Sequence, residues 1–150
     1  MNSEKIEYRR LDGGPVDQKE IDASVNLLHE YLNEFISRDI LDRDVEYCFK
    51  KGRVLGAYHE GKLVGVVVGV YTPFFDKFHI GHIAVEEGFQ GIDIGSELTK
   101  KVLPEDVGAT VHLNMGNPDV ERFYKKLGFE QTHKRFRKVE KREKDVKPSD

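Results

Sequence analysis

The sequence predicts an α/β (α+β) fold, a mixed and mainly antiparallel sheet of about seven strands flanked by about four helices. Three observations carry that expectation. Val54 to His59 and Lys62 to Tyr71 form a hairpin pattern around Glu60-Gly61, where glycine suits the tight connection. Within it, Leu63 to Val70 is apolar on both faces, as a central strand covered on both sides must be. Later in the chain, two strand patterns each run into a helix pattern, which places helix N-termini at strand ends.

The remaining elements follow in order. Ile6 to Leu11 is a short first strand, closed by the turn signal Asp12-Gly13-Gly14-Pro15. From Asp17 onward, Ile21, Val25, Leu28, Leu32, Phe35 and Ile36 recur at helical spacing and define one apolar face. A second short helix is expected over Asp42 to Lys50, capped by Asp42. After the hairpin, Phe78 to Val85 is a strand, and Gly91 to Gly95 lead into a helix ending at Leu103. Thr110 to Met115 is a strand, Pro118 to Leu127 a helix, and Phe129 to Glu140 two short final strands. Residues 1–140 thus read as one domain and 141–150 as a charged, flexible tail.

Composition narrows the function classes. A chain of 150 residues can enclose a core without disulfide or metal staples. No apolar run approaches the roughly 18–20 residues that cross a bilayer, and the start Met1-Asn2-Ser3-Glu4-Lys5 lacks the apolar segment of a secretory signal. A cytoplasmic protein that does not enter membranes is expected. One cysteine, Cys48, excludes an internal disulfide and reads as a small buried hydrophobe, and the six histidines show no metal spacing, so no metal is expected. The net charge of −3 is uneven. Lys134 to Asp150 holds eight basic and four acidic residues, whereas Met1 to His133 holds sixteen and twenty-three. An acidic body attracts cationic substrates, although an ordinary solvated surface explains the same charges. The basic tail is interrupted by acids and carries no stacking platform, which points away from nucleic acid.

The chemistry-bearing stretch is Ile80 to Leu98: an apolar strand, a glycine-bearing turn, and an amphipathic helix. Such a turn exposes backbone N–H groups beside the positive end of a helix dipole, a setting for pyrophosphate. Gly91 and Gly95 keep side chains from holding phosphates off the backbone. Alone, two glycines before a helix are often only a turn. Here, however, the segment resembles the acyl-CoA-binding motif of the GNAT acetyltransferase superfamily, R/Q-x-x-G-x-G/A, with Gln90 at its first position and Gly95 at its last. His82-Ile83-Ala84-Val85 resembles the family's pantetheine-binding strand. Asn117 to Phe129 resembles its second signature, N-x-x-A-x-x-F-Y-x-x-L-G-F, with Val120 in place of alanine. The order of elements is also the family's.

The resemblance implies direct acetyl transfer from acetyl-CoA, as cosubstrate, to a primary amine. It assigns cofactor binding to Ile83, Ala84, Val85, Gln90, Gly91, Ile92, Asp93, Ile94, Gly95, Ser96, Asn117 and Tyr124. Tyr124 matches the signature tyrosine that protonates the leaving thiolate. His79 falls where the family often carries a basic glutamate, and a histidine titrates near neutral pH. Plain alternation puts His79 on one side of its strand with Gly81 and Ile83, and His82 on the other, but a bulge would reverse that parity and keeps His82 as second candidate. Backbone N–H groups from Ile83 to Val85 are the expected oxyanion donors. Asn117 before Pro118 suits a helix cap and also a cofactor contact.

Asp93 departs from the pattern, since it stands where the motif has its central glycine. A carboxylate there repels phosphate unless it turns to solvent or caps the following helix. This feature, with the missing strand glutamate, keeps a non-catalytic acyl-CoA-binding domain as the alternative. A dinucleotide-binding module is disfavoured, because no G-x-G-x-x-G follows the strand. The amine acceptor is not named by the sequence. It would lie between the first two helices and the loop from Thr72 to Phe78, where Phe74, Phe75 and Phe78 can line a pocket, pack inside or form a dimer contact. An exposed final strand would also suit a homodimer.

Overall fold

A computed structural model describes residues 5–72, 77–105, 107–111 and 118–131. Among them, five strands form one sheet in sequential order: β1 (Ile6–Arg10), β2 (Arg53–His59), β3 (Lys62–Thr72), β4 (Lys77–Val85) and β5 (Gly108–Val111). Neighbours are antiparallel except β4 and β5, which run parallel. Four α-helices accompany them: α1 (Gln18–Leu32), α2 (Arg38–Lys51), α3 (Ile94–Val102) and α4 (Pro118–Lys126). The mixed, mainly antiparallel architecture is the one the sequence predicts. Of the two further strands expected after Phe129, residues 129–131 form none. The rest of that stretch, the tail 141–150, Phe74, Phe75 and Asn117 lie outside the described residues.

The sheet separates two cores. On one face α1 contributes Ile21, Val25, Leu27 and Leu28, and α2 contributes Leu41, Val45, Cys48 and Phe49, packed with Val66, Val68 and Ala84 from the sheet. On the other face Ile94, Leu98 and Val102 of α3 pack with Val64, Val67, Phe78 and Ile80. Leu63 to Val70 therefore supplies both layers, which explains its unbroken apolar character. Gly69 is required by this packing, since a Cβ there would stand 2.6 Å from the Phe78 ring and from the His79 carbonyl oxygen.

Two local readings need correction. Helix α2 starts at Arg38, and its N-cap is Ser37, whose side chain accepts from the Ile40 N–H; Asp42 lies inside the helix. The missed stretch Arg38–Leu41 was hidden because it buries only its last residue, Leu41, while Ile40 stays 42% exposed. The first helix likewise stops at Leu32, so Phe35 and Ile36 sit in the following turn, outside the periodic helix.

The decisive irregularity lies in β4. Val68 pairs with His82, but the next residue, Gly69, pairs with Ile80, which leaves Gly81 as an unpaired extra residue. A bulge of this kind reverses the side-chain alternation beyond it. Phe78 and Ile80 point toward α3 before the bulge, whereas Ala84 points toward α1 and α2 after it.

Candidate functional site

The bulge decides how the two histidines stand. His79 and His82 share the face toward α1 and α2, and Ile83 packs on the α3 side. The plain-alternation grouping of His79 with Ile83 is therefore wrong. Each histidine has a partner there. His79 Nδ1 lies 2.8 Å from Thr110 Oγ1 on the adjoining strand β5. His82 Nε2 lies 2.9 Å from Asp44 Oδ2 on α2, with His82 at 12% side-chain exposure and Asp44 at 41%.

Pairing between β4 and β5 runs from Lys77–Gly108 to Ile80–Val111. Beyond Ile80, no strand among the described residues takes this edge of β4. A cleft of about 1140 Å³ opens there, lined by His79 to Val85, by the α1–α2 layer, by the loop into α3, and by α4. Tyr124 lines it from α4, 3% exposed, with its ring set edge-on to Phe123 and Phe129 at centroid distances of 4.9 and 5.4 Å. Burial pushes the Tyr124 phenol up to about 12. Cys48 lines the same cleft from α2, and burial, reinforced by the Asp44 and Asp12 carboxylates, pushes its thiol up to about 12 as well. A thiol so held stays protonated at neutral pH and is a poor nucleophile.

The loop into α3 is built by backbone conformation. Glu87–Phe89 forms a 3₁₀ turn, anchored by the Glu87 N–H donating to Tyr31 Oη at 2.7 Å. The Gln90 side chain donates from Nε2 to the Val85 carbonyl at 2.8 Å, fastening the loop to the end of β4. Gly91 then adopts φ +88° with open space where a Cβ would point, a conformation glycine takes without penalty. Asp93 also lies in the left-handed region, at φ +66°, and its carboxylate makes no capping bond to α3. Of the two dispositions considered for it, the side-chain cap is absent; Asp93 is exposed and lines the cleft. The first-turn N–H groups of α3 have no intrahelical acceptors and face the same opening.

The cleft brings together most of the sequence-predicted residues. Ile83, Ala84, Val85, Gln90, Gly91, Asp93, Gly95, Ser96, Tyr124 and His79 all line it. Ile92 and Ile94 do not: Ile94 is 1% exposed in the α3-side core, and Ile92 packs against that core. Only their backbone can serve a ligand. Gly95 has a further reason to be glycine, because a Cβ would stand 3.3 Å from the Phe123 ring. Sequence reasoning missed Asp44, Tyr31 and Tyr47, which line the α1–α2 wall. Asp44 sits three residues after Leu41 and four before Cys48, beside the buried stripe, but its partner is 38 residues away, so no local pattern announces the pair. Among the described residues no three His, Cys, Asp or Glu side chains converge as a metal site, and no helix is long and apolar enough to cross a membrane.

Comparison with known proteins agrees with this geometry. The family model described as an acetyltransferase (GNAT) domain matches residues 16–140. No curated protein matches the chain in sequence. Among solved structures, a possible acetyltransferase from Clostridium difficile 630 superposes with a TM-score of 0.67 at 15% identity, covering 90% of this chain and 97% of that one. The aminoglycoside N-acetyltransferase AAC(6')-Iy, in complex with CoA, gives a TM-score of 0.67 at 15% identity, with 90% and 94% covered. An aminoglycoside acetyltransferase from an uncultured soil metagenomic sample, in complex with trehalose, gives 0.65 at 18% identity, with 93% and 99% covered. At such identities the structural likeness speaks for the fold, and the family match covers most of the sequence. The chain belongs to the GNAT acetyltransferase family.

Proposed function

We propose that the protein is a cytoplasmic N-acetyltransferase that moves an acetyl group from acetyl-CoA directly to a primary amine. The observation that carries this reading is the single cleft in which the open edge of β4, the N-terminus of α3, Tyr124 and both strand histidines meet. The parts suit the cosubstrate. Backbone amides of the loop from Gln90 to Ser96 would hold the pyrophosphate, and the edge from Ile83 to Val85, which no described strand takes, would pair with the amide-bearing arm. Asn117, expected to cap α4 and touch the cofactor, belongs to the same proposal.

The chemistry follows from the residues. An alkylammonium must first lose a proton, and His79 or His82 accepts it and passes it to solvent. The amine nitrogen then attacks the thioester carbonyl carbon, and backbone N–H groups of β4 stabilise the oxyanion. As the C–S bond breaks, the sulfur takes a proton from Tyr124, and the second nitrogen proton restores the phenol. Tyr124 at about 12 is a weak acid in the resting site. A thiolate that forms in a desolvated cleft is made more basic by the same physical cause, which favours its taking the phenol proton. The net products are an amide, free thiol and one proton.

Calorimetric titration with acetyl-CoA, with NAD as control, tests the reading together with thiol release over a panel of amines. Micromolar binding of acetyl-CoA alone, followed by turnover, is expected. Asp93 favours a second reading, a non-catalytic acyl-CoA-binding domain, which predicts the binding without turnover of any amine.

A further inference from the structure

The half of the cleft formed by α1, α2 and β3 has its own character. Tyr31, Leu32, Phe35, Tyr47 and Val70 give it an apolar, aromatic lining, and Asp44 is the sole charged side chain among the described residues that these elements and the α1–α2 turn contribute. Among the described residues Phe35 and Tyr47 are each left 56% exposed, large aromatic surface at the edge of the cleft. Asp44 uses Oδ2 for His82 and keeps 41% of its side chain exposed. A lone carboxylate inside an apolar wall matches a ligand with one cationic head and an apolar body.

From this juxtaposition, and resting on the acetyltransferase reading above, we infer that the acceptor is an arylalkyl or alkyl monoamine. Its ammonium sits on Asp44 and its apolar body lies between Phe35 and Tyr47. Asp44 thereby delivers the nitrogen beside His82, the ring to which the same carboxylate is bonded, and acts as a positioning and selectivity residue. Aromatic faces add attraction for the cation. A polyamine or amino sugar fits this half less well, because its additional ammonium or hydroxyl groups would lose water against apolar side chains, while the carboxylates of Asp39, Asp42 and Glu46 line a surface pocket that shares only Tyr47 with the cleft. An amino acid fits less well too: its carboxylate would face Asp44, and the described cations nearest Tyr47, Arg43 and Lys50, line the neighbouring pocket and not this half.

The test compares kcat/KM for phenethylamine, hexylamine, methylamine, spermidine and kanamycin, read as thiol release from acetyl-CoA. Phenethylamine and hexylamine are expected to lead spermidine and kanamycin by about tenfold or more. Asp44→Asn is expected to raise KM for phenethylamine about tenfold, the scale of one charge-assisted contact, while the acetyl-CoA Kd stays within about twofold. Tyr47→Ala, at an exposed position, is expected to raise KM for phenethylamine and leave methylamine unchanged. That variant decides the matter if Asp44→Asn does not fold. Preference for spermidine or kanamycin, or an unchanged KM in both variants, overturns the inference and leaves the acetyltransferase reading intact. Acetyl-CoA binding without turnover of any amine overturns it as well, whereas failure of acetyl-CoA to bind removes the functional reading first.

Discussion

Replacing Asp93 probes the site at its most unusual point. The residue sits at φ +66° immediately before α3, exposed, with no capping bond, in the loop assigned above to pyrophosphate. Two effects follow from Asp93→Gly. The left-handed conformation costs an L-residue about 1 kcal/mol, less for aspartate than for most, and glycine removes that cost. Glycine also loosens the unfolded chain by a similar amount, so stability should change by less than about 1 kcal/mol. Binding should change more. Two unit charges about 4 Å apart in water interact by about 1 kcal/mol, which corresponds to roughly fivefold in affinity. Acetyl-CoA should therefore bind Asp93→Gly about fivefold more tightly by calorimetry. Asp93→Asn, which removes the charge but tolerates the same backbone conformation, should show most of the gain. The gain should shrink in 1 M salt, where the Debye length falls to about 3 Å. If both variants bind acetyl-CoA within twofold of the parent at low salt, the carboxylate does not face the phosphates, and the placement of the pyrophosphate is wrong.

Other expectations concern the buried groups. Tyr124→Phe should lower kcat about 100-fold, in the range for a general acid, with the acetyl-CoA Kd unchanged; an unaltered kcat from pH 6 to 10 would remove Tyr124 from the chemistry. Cys48 has its thiol raised from 9.0 to about 12, so above pH 9 the unfolded chain releases a proton that the folded chain retains. Stability should then fall as pH rises from 9 toward 12, by up to about 1.4 kcal/mol per unit for one group. Denaturation midpoints of Cys48→Ala should show a shallower alkaline slope than the parent, and equal slopes would contradict the burial argument. Gly69→Ala drives a methyl into the Phe78 ring and the His79 carbonyl, an overpacking worth about 1–3 kcal/mol. Its melting temperature should drop by about 3–10 °C, and an unchanged value would show that β3 and β4 can separate there without cost.

What could be read from the sequence depended on how far each feature reaches along the chain. The hairpin, the α1 stripe from Ile21 to Leu32 and the turn before α3 are written in residues a few positions apart, and they appear where the local pattern puts them. Most of the loop and strand residues assigned to the cofactor line the cleft because two short signatures carry backbone geometry with them. The start of α2 was missed because Arg38, Asp39 and Ile40 are exposed, so Leu41 alone marks the apolar stripe there. Parity in β4 stayed open between plain alternation and a bulge, because a period of two assumes an uninterrupted ladder, whereas an isolated glycine within a strand pattern, Gly81, is a bulge signal; the bulge is what forms. The Asp44–His82 contact depends on how α2 lies over β4, which no spacing along the chain encodes.

The unpaired Gly81 gives β4 a phase as well as a position. Upstream, odd-numbered residues look toward α1 and α2; downstream, even-numbered ones do. Had it taken a regular place in the ladder opposite Val68, the strand would run on with its faces exchanged: His82 and Ala84 would turn into the α3-side core, and the Ile83 and Val85 side chains would turn toward α1 and α2. An amino acid without a side chain thus sets, by standing outside the ladder, which alphabet of side chains, polar or apolar, the cleft presents.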